Sequence, residues 1–215
     1  MKKGKVSNAV IRRLPRYYDQ LDSLFRVGVV RISSSALAKS MNLTASQIRQ
    51  DLSYFGEFGQ QGYGYNVENL RSEIADILGM NNGHTAVILG AGNLGRALMH
   101  NFQFSQNGFQ LIAAFDTDPE IIGTRIAGVP VYSIDSLDQY LAEHPVSVGV
   151  LTVPVTVALS TAQRLIAGGV KGIWNFTNIN LAVSHSGVVV ENVHFADSLL
   201  TLSYLISPRA NPDGG

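Results

Sequence analysis

The chain has 215 residues, 46% of them hydrophobic and 15% charged, with no cysteine and a formal net charge of zero. This composition supports a sizeable buried core and excludes a disordered chain, a disulfide scaffold, thiolate catalysis and cysteine metal sites. The zero charge is a sum of opposites. Residues 1–50 carry ten Lys and Arg against two Asp, and the rest carries six against fourteen, so a polyanion partner suits only the first part.

No apolar stretch reaches the roughly 18 residues of a membrane span. The basic start, Met1 to Lys5, is followed by polar residues and arginines where a signal peptide needs an apolar core. The expected location is the cytoplasm.

Residues 6–27 read as a helix: Val6, Val10, Leu14, Tyr17 or Tyr18, Leu21 and Phe25 keep close to a 3.6 period. Pro15 interrupts the pattern and should kink or restart it. Ser33, Ser34 and Ser35 can cap a short helix with Ala36, Leu37 and Met41 on its apolar side. After the turn at Asn42 and Leu43, Thr44 to Gln47 form a capping box. The next helix buries Ile48, Leu52 and Phe55 and leaves Ser46, Gln47, Arg49 and Gln50 outside. Two short helices with a tight turn between them, the second with a polar outer face, make a helix-turn-helix. The glycines and aromatics of 56–65 suggest a hairpin wing, and 67–78 a further helix.

The expected DNA contacts follow. Arg12, Arg13 and Arg16 meet phosphates, and Ser46, Gln47, Arg49 and Gln50 meet base edges or phosphates in the major groove. Ser33, Ser34 and Thr44, at the two helix starts, join them. Gln60, Gln61 and Tyr63 at the hairpin tip reach the minor groove. Each also has a plain reading as a solvated helix face or polar turn.

Residues 79–83 are a natural boundary. Beyond it helices alternate with apolar runs at 86–89, 111–115, 130–132, 148–153, 172–174 and 188–190, the pattern of a mostly parallel α/β sheet. The first run enters Gly90-Ala91-Gly92-Asn93-Leu94-Gly95, which opens a helix, and the second ends in Asp116. This is the order of a dinucleotide-binding βαβ unit. Gly90 allows the tight turn, with Ala91 inside it. Gly92 lets backbone approach the pyrophosphate, and Gly95 allows close helix–strand contact. The amides of Asn93 and Leu94 face phosphate at the positive helix end. Asp116 accepts the hydroxyls of the adenine ribose, and a 2′-phosphate would meet like charge there, so NAD(H) is favoured over NADP(H).

Catalytic and metal groups are scarce. His100, His144, His185 and His194 are scattered without metal spacing, and no Gly-x-Ser-x-Gly turn occurs. The last apolar stretch, 198–206, reads as a helix stopped by Pro208, before a loose tail at 211–215.

Several segments together resemble the Rex family of redox-sensing transcriptional repressors. They are Ile11-Arg12-Arg13-Leu14-Pro15-Arg16-Tyr17, Arg49-Gln50-Asp51-Leu52-Ser53-Tyr54-Phe55-Gly56, Gly62-Tyr63-Gly64-Tyr65, Gly92-Asn93-Leu94-Gly95, Leu151-Thr152-Val153-Pro154 and Gly172-Ile173-Trp174-Asn175-Phe176. The resemblance covers residues 6–207. It implies a homodimer of winged helix plus Rossmann domain that exchanges its last helix and binds double-stranded operator DNA with NAD+ or no cofactor. NADH implies release. Around the nicotinamide it adds Thr152, Val153, Pro154, Asn175, Phe176 and Thr177. Family members often pair a Tyr after the glycine helix with an Asp near the exchanged helix. Asn101 and His194 stand at those places, an altered switch pair. Gln61 and Gln50 stand where basic residues are common.

The expected division is a winged-helix domain at 1–79, a Rossmann domain at 84–196 and an exchanged helix at 197–207. The leading reading is an NADH-responsive repressor, not an enzyme. A small dehydrogenase with a basic appendage is the rival, but the stretch after 83 has no room for a substrate domain. A CoA-binding Rossmann module is the third, and Asp116 argues against it.

Overall fold

The computed structural model describes residues 6–60, 63–181 and 187–207 and divides the chain into two compact units, Met1–Asn82 and Gly83–Gly215. The first unit runs α1 (Asn8–Ile11), α2 (Leu14–Arg26), β1 (Arg31–Ile32), α3 (Ser34–Met41), α4 (Ala45–Ser53), β2 (Gly59–Gln60), β3 (Gly64–Asn66) and α5 (Val67–Ile77). Pro15 restarts the first helix rather than kinking it. It sits in the first turn of α2, where no backbone N–H is needed.

The caps are chemical. Ser33 Oγ accepts the Ala36 amide at 3.0 Å, Thr44 Oγ1 the Gln47 amide at 3.1 Å, and Asn66 Oδ1 the Asn69 amide at 2.9 Å. Asn42 takes the left-handed conformation, φ 54°, that ends α3 and makes the tight turn into α4. Leu14, Tyr17 and Leu21 pack on Leu37, Ile48, Leu52, Leu70 and Ile74. The wing is an antiparallel sheet in the order β1-β3-β2, with Ile32 opposite Tyr65 and Gln60 opposite Gly64. At Gly64, φ is 70° and a Cβ would lie 2.5 Å from the Ile32 carbonyl oxygen, so only glycine closes the hairpin there.

The second unit contains β4 (His84–Leu89), α6 (Asn93–Asn101), β5 (Phe109–Asp116), β6 (Arg125–Ile126), β7 (Val129–Ser133), α7 (Leu137–Glu143), β8 (Val148–Leu151), α8 (Val155–Ala167), β9 (Gly172–Asn175), β10 (Val189–Asn192) and α9 (Phe195–Leu205). Its seven strands lie in the order β10-β9-β8-β4-β5-β7-β6, all parallel except the antiparallel pair β6–β7. Along β4, Val87 and Leu89 enter one core and Ile88 the other. A strand covered on both faces is apolar throughout, which is why these strands read as continuous runs. The fourth expected strand, 148–153, stops at Leu151, because Thr152 turns out of the sheet.

The chain builds β5 and β7 on one side of β4, then returns to place β8 on the other. Strand order reverses there. In open parallel sheets, ligands bind outside the carboxyl ends of the strands at such a point. α9 has no buried residue: Phe195, Leu199, Leu200, Leu202, Tyr204 and Leu205 are all exposed.

Candidate DNA-binding and dinucleotide-binding sites

In the first unit, α4 presents Ser46, Arg49 and Gln50 outward, all exposed. Arg49 Nη1 donates to Ser34 Oγ at 2.9 Å, bridging the recognition helix and the start of α3. Ser33, Ser34, Arg49, Ser53 and Glu57 line the polar side of a concavity of about 590 Å³ between α3, α4 and the hairpin. The Ser33 and Thr44 oxygens accept cap amides, which leaves each hydroxyl proton able to reach a phosphate oxygen. Arg12 and Arg16 are exposed, and Tyr63 is 70% exposed at the hairpin turn. Only the backbone of Gln60 is described, and Gln61 lies outside the described residues.

Two of the expected DNA contacts face elsewhere. Arg13 grips the buried carboxylate of Asp51 with two hydrogen bonds, Nε to Oδ2 at 2.7 Å and Nη2 to Oδ1 at 2.9 Å. Gln47 does not complete the capping box: its Nε2 reaches Asp51 Oδ1 at 3.4 Å instead. A charge-assisted partner outcompetes a neutral backbone amide. Asp51 itself was missed, although it lies three residues after Ile48, on the buried face of α4. Burial alone pushes its carboxyl up. The hydrogen bonds from Arg13, Tyr17 and Gln47 outweigh that and hold it below the usual carboxylate range. Burial, then Asp51, push the Tyr17 phenol up, so it stays a proton donor.

In the second unit, Gly90 to Gly95 cross the carboxyl end of β4 beside the loop that follows β8. A Cβ at Gly90 would lie 2.8 Å from the Thr152 carbonyl, and one at Gly95 would strike the Gly90 carbonyl. Gly92 has open space where its Cβ would be. Gly92 is also the N-cap of α6 and has no side chain to offer, so no side-chain cap holds the first amides, those of Asn93 and Leu94 among them. That is the arrangement a pyrophosphate completes.

Asp116, at the end of β5, fastens this loop. Its Oδ2 accepts the Ala91 amide in a short hydrogen bond, and its Oδ1 accepts the amides of Thr117 at 2.7 Å and Asp118 at 2.9 Å. Arg96, which the motif did not single out, donates through Nε to the Ala91 carbonyl at 2.9 Å. The two peptides flanking Ala91 are therefore held by opposite charges, the N–H by a carboxylate and the C=O by a guanidinium. Thr152 Oγ1 lies 2.7 Å from the Gly90 carbonyl and 3.0 Å from that of Leu89, tying the β8 loop to the glycine loop. Val153 and Pro154 follow it at the mouth.

The far end is aromatic. Phe176 packs edge-on against Trp174, centroids 4.5 Å apart, and lies 6.1 Å from Phe195. The Asn175 and Thr177 side chains are engaged inside the protein. Asn175 Nδ2 donates to the Ile179 carbonyl and Asn192 Oδ1, and its Oδ1 accepts the amide and hydroxyl of Thr177. With all four of its hydrogen-bonding positions used, the Asn175 side chain holds the loop to β10 and offers nothing to a nicotinamide. Asn101 and His194 do not bond to each other. Asn101 Nδ2 donates back to the Ala97 carbonyl at 3.0 Å, and His194 Nε2 meets Asn180 Oδ1 at 2.8 Å. Among the described residues, no group of His, Asp or Glu is placed to hold a metal, and no helix is long and apolar enough to cross a membrane.

Comparison with known proteins agrees with this two-part build. A family model described as "Putative DNA-binding protein N-terminus" matches residues 5–53, and one described as "CoA binding domain" matches residues 81–179. A Clostridium botulinum protein named redox-sensing transcriptional repressor Rex is 50% identical over 206 residues, covering 96% of this chain and 98% of its own length. The chain belongs to the Rex family. A Rex from Thermoanaerobacter pseudethanolicus is 48% identical, over 96% of this chain and 92% of its own. The structure of RSP in complex with β-NAD+ and operator DNA superposes with a TM-score of 0.88 at 47% identity, covering 96% of this chain and 93% of that one. RSP in complex with β-NADH gives 0.87 at 43%, covering 96% and 95%. As a Rex, the chain is a transcriptional repressor and not an enzyme. Its fold is an N-terminal DNA-binding unit followed by a Rossmann-like, mostly parallel sheet.

Proposed function

We propose that this chain is an NADH-responsive repressor that grips operator DNA while NADH is scarce, with NAD+ or no cofactor bound, and leaves it when NADH binds. One observation carries the reading. The same chain joins a helix-turn-helix with an exposed Arg49 face to a glycine loop whose helix start lacks a side-chain cap and whose neighbouring strand ends in Asp116. RSP, similar over nearly the whole length, has been solved with NAD+ and operator and again with NADH. The working form is a homodimer that exchanges α9, and its place is the cytoplasm, where the operator is. Residues 1–79 serve the DNA and 84–196 the dinucleotide.

The test is a titration of the labelled operator duplex of the RSP complex. NADH should release it at concentrations where NAD+ does not. A dehydrogenase would bind NADH with no effect on DNA, and a CoA-binding module would bind neither.

Arg49→Ala and Arg16→Ala should each weaken operator binding and leave NADH binding unchanged. A lost bidentate base contact costs about 1–3 kcal/mol, and a lost phosphate contact lowers the salt slope by about one. Gel shifts at several salt concentrations measure both quantities. If neither variant changes affinity or slope, this face does not meet DNA.

The switch is a matter of linkage. NADH can release DNA only by binding the releasing arrangement better, and operator must weaken NADH binding by the same factor. NADH and NAD+ differ at the nicotinamide, so Phe176 and the exchanged α9 of the partner subunit are the candidate discriminating surroundings. A role for Asn101 and His194 requires His194 to leave Asn180 in one of the two states. His194→Ala should then keep the dimer and NADH affinity but need more NADH for release. Release over the parental range, with parental operator affinity, would leave His194 a structural histidine.

A further inference from the structure

We infer that Asp51 and Arg13 are positioning residues for operator recognition: their buried ion pair locks the rotation of the recognition helix α4 against α2. The inference rests on the reading of the first unit as operator-binding, and it assigns to Arg13 a task other than touching phosphate.

The geometry is unusual for so small a unit. Asp51 is 1% exposed and the Arg13 side chain 23% exposed. Both Asp51 oxygens are used. Oδ2 takes Arg13 Nε and the Tyr17 hydroxyl, each at 2.7 Å, and Oδ1 takes Arg13 Nη2 at 2.9 Å and Gln47 Nε2 at 3.4 Å. Arg13 immediately precedes α2 and Tyr17 lies one turn inside it, whereas Gln47 and Asp51 lie one turn apart on α4. Four side chains thus bolt the first turn of one helix to the middle of the other.

A buried pair is a poor way to gain stability, since apolar side chains of similar volume often do as well or better. What the pair adds is direction. Leu, Ile and Met packing tolerates small rotations, whereas a two-pronged guanidinium–carboxylate contact fixes the angle as well as the distance. Ile48 and Leu52 anchor the same face of α4, so a small turn about the helix axis leaves them buried. It does not leave the outer face in place. Turning a helix by about 20° moves a side-chain atom about 6 Å from its axis by about 2 Å. That is enough to break a base-edge hydrogen bond, which tolerates a few tenths of an ångström. Ser46, Arg49 and Gln50 are the residues so displaced.

The reading makes a distinctive prediction, because phosphate attraction survives a small helix rotation and base readout does not. The experiment measures the affinity of the full chain, saturated with NAD+, for the RSP operator duplex and for a scrambled duplex of equal length and composition, at several salt concentrations. Three variants are compared with the parent: Asp51→Asn, Arg13→Lys and the double variant Arg13→Gln/Asp51→Asn. Far-UV circular dichroism and thermal melting identify the temperature range in which each is folded, and binding is measured well below it.

The expected result is that all three keep scrambled-duplex affinity and its salt slope, while the operator-to-scrambled ratio falls about tenfold or more, on the scale of one misread base pair. The double variant should lose no more than the worse single variant, because the pair acts as one unit. Arg13→Lys is the decisive arm. It keeps the positive charge and removes the fork, so a phosphate-contacting Arg13 predicts near-parental behaviour and a positioning Arg13 predicts lost discrimination. If Asp51→Asn melts too early to measure, Arg13→Lys, with both charges retained, still decides. An unchanged ratio in the folded variants overturns the inference. So does an Arg13→Lys that behaves as parent while the double variant loses slope on both duplexes. A parent protein that does not distinguish operator from scrambled DNA overturns the operator-binding reading itself, and the inference with it.

Discussion

Aspartate at both Leu199 and Leu200 is expected to turn the proposed dimer into a monomer and to weaken operator binding by about 10²-fold or more, because the second half-site contact is then lost. The reason is the state of α9 in a single chain. It is an eleven-residue helix with no buried residue, and Phe195, Leu199, Leu200, Leu202, Tyr204 and Leu205 are between 54% and 67% exposed. A helix apolar on most sides is a buried helix, and a contiguous exposed apolar surface marks an interface. Covering each leucine contributes about 1.5–3 kcal/mol. Several together reach the size of the entropic cost of association, about 4–15 kcal/mol. Two buried carboxylates would tip that balance decisively. Sedimentation at micromolar concentration measures the mass, and a double variant that still sediments as a dimer would place the interface elsewhere. NADH binding by the monomer should be altered only if α9 of the partner lines the nicotinamide end.

The parts of the fold visible in the sequence are those set by local chemistry. Ser33 and Thr44 cap because a hydroxyl three residues ahead of an amide is the strongest short-range helix signal. The parallel strands are visible because burial on both faces forbids polar residues. What stayed hidden was decided by distant partners. β1 and β6, two residues each, exist only because β3 and β7 lie beside them, and two residues leave no periodicity to read. Arg13 carried the same local message as Arg12 and Arg16, a cation in a basic segment, and its partner lies 38 residues away. The clue was on α4. Asp51 interrupts the apolar face formed by Ile48, Leu52 and Phe55, and a charge on a buried face requires a partner. Asn175 follows the same logic. Its resemblance to a nicotinamide contact was a matter of position along the chain, whereas its four hydrogen bonds depend on Asn192, Ile179 and Thr177 folding around it.

Replacing Asp116 is expected to remove the preference for NADH over NADPH, and the choice of substitution matters because the carboxylate has two tasks. As the proposed acceptor of the ribose hydroxyls it has one task, and as the group that holds the amides of Ala91, Thr117 and Asp118 it has the other. Asp116→Ala removes both functions. Losing charge-assisted hydrogen bonds costs about 1.5–3 kcal/mol, or roughly 10- to 150-fold in NADH affinity, and a loosened Ala91 peptide adds a loss shared by both cofactors. Asp116→Asn separates the two in part. Its single amide oxygen can accept either from Ala91 or from Thr117 and Asp118, so part of the fastening is kept, while the negative charge that repels a 2′-phosphate is gone. Arg96, bonded to the Ala91 carbonyl, is then a nearby cation no longer offset by the Asp116 charge, and a nearby arginine favours a 2′-phosphate. Fluorescence titration should therefore give a parent that binds NADH well ahead of NADPH. Asp116→Ala should be weak for both. Asp116→Asn should lose NADH affinity moderately and gain NADPH affinity outright. That gain is the sharpest part of the prediction, since damage to the loop lowers affinity and never raises it. Equal affinity of the parent for the two cofactors would remove Asp116 from the ribose site and leave it as the fastener of the glycine turn.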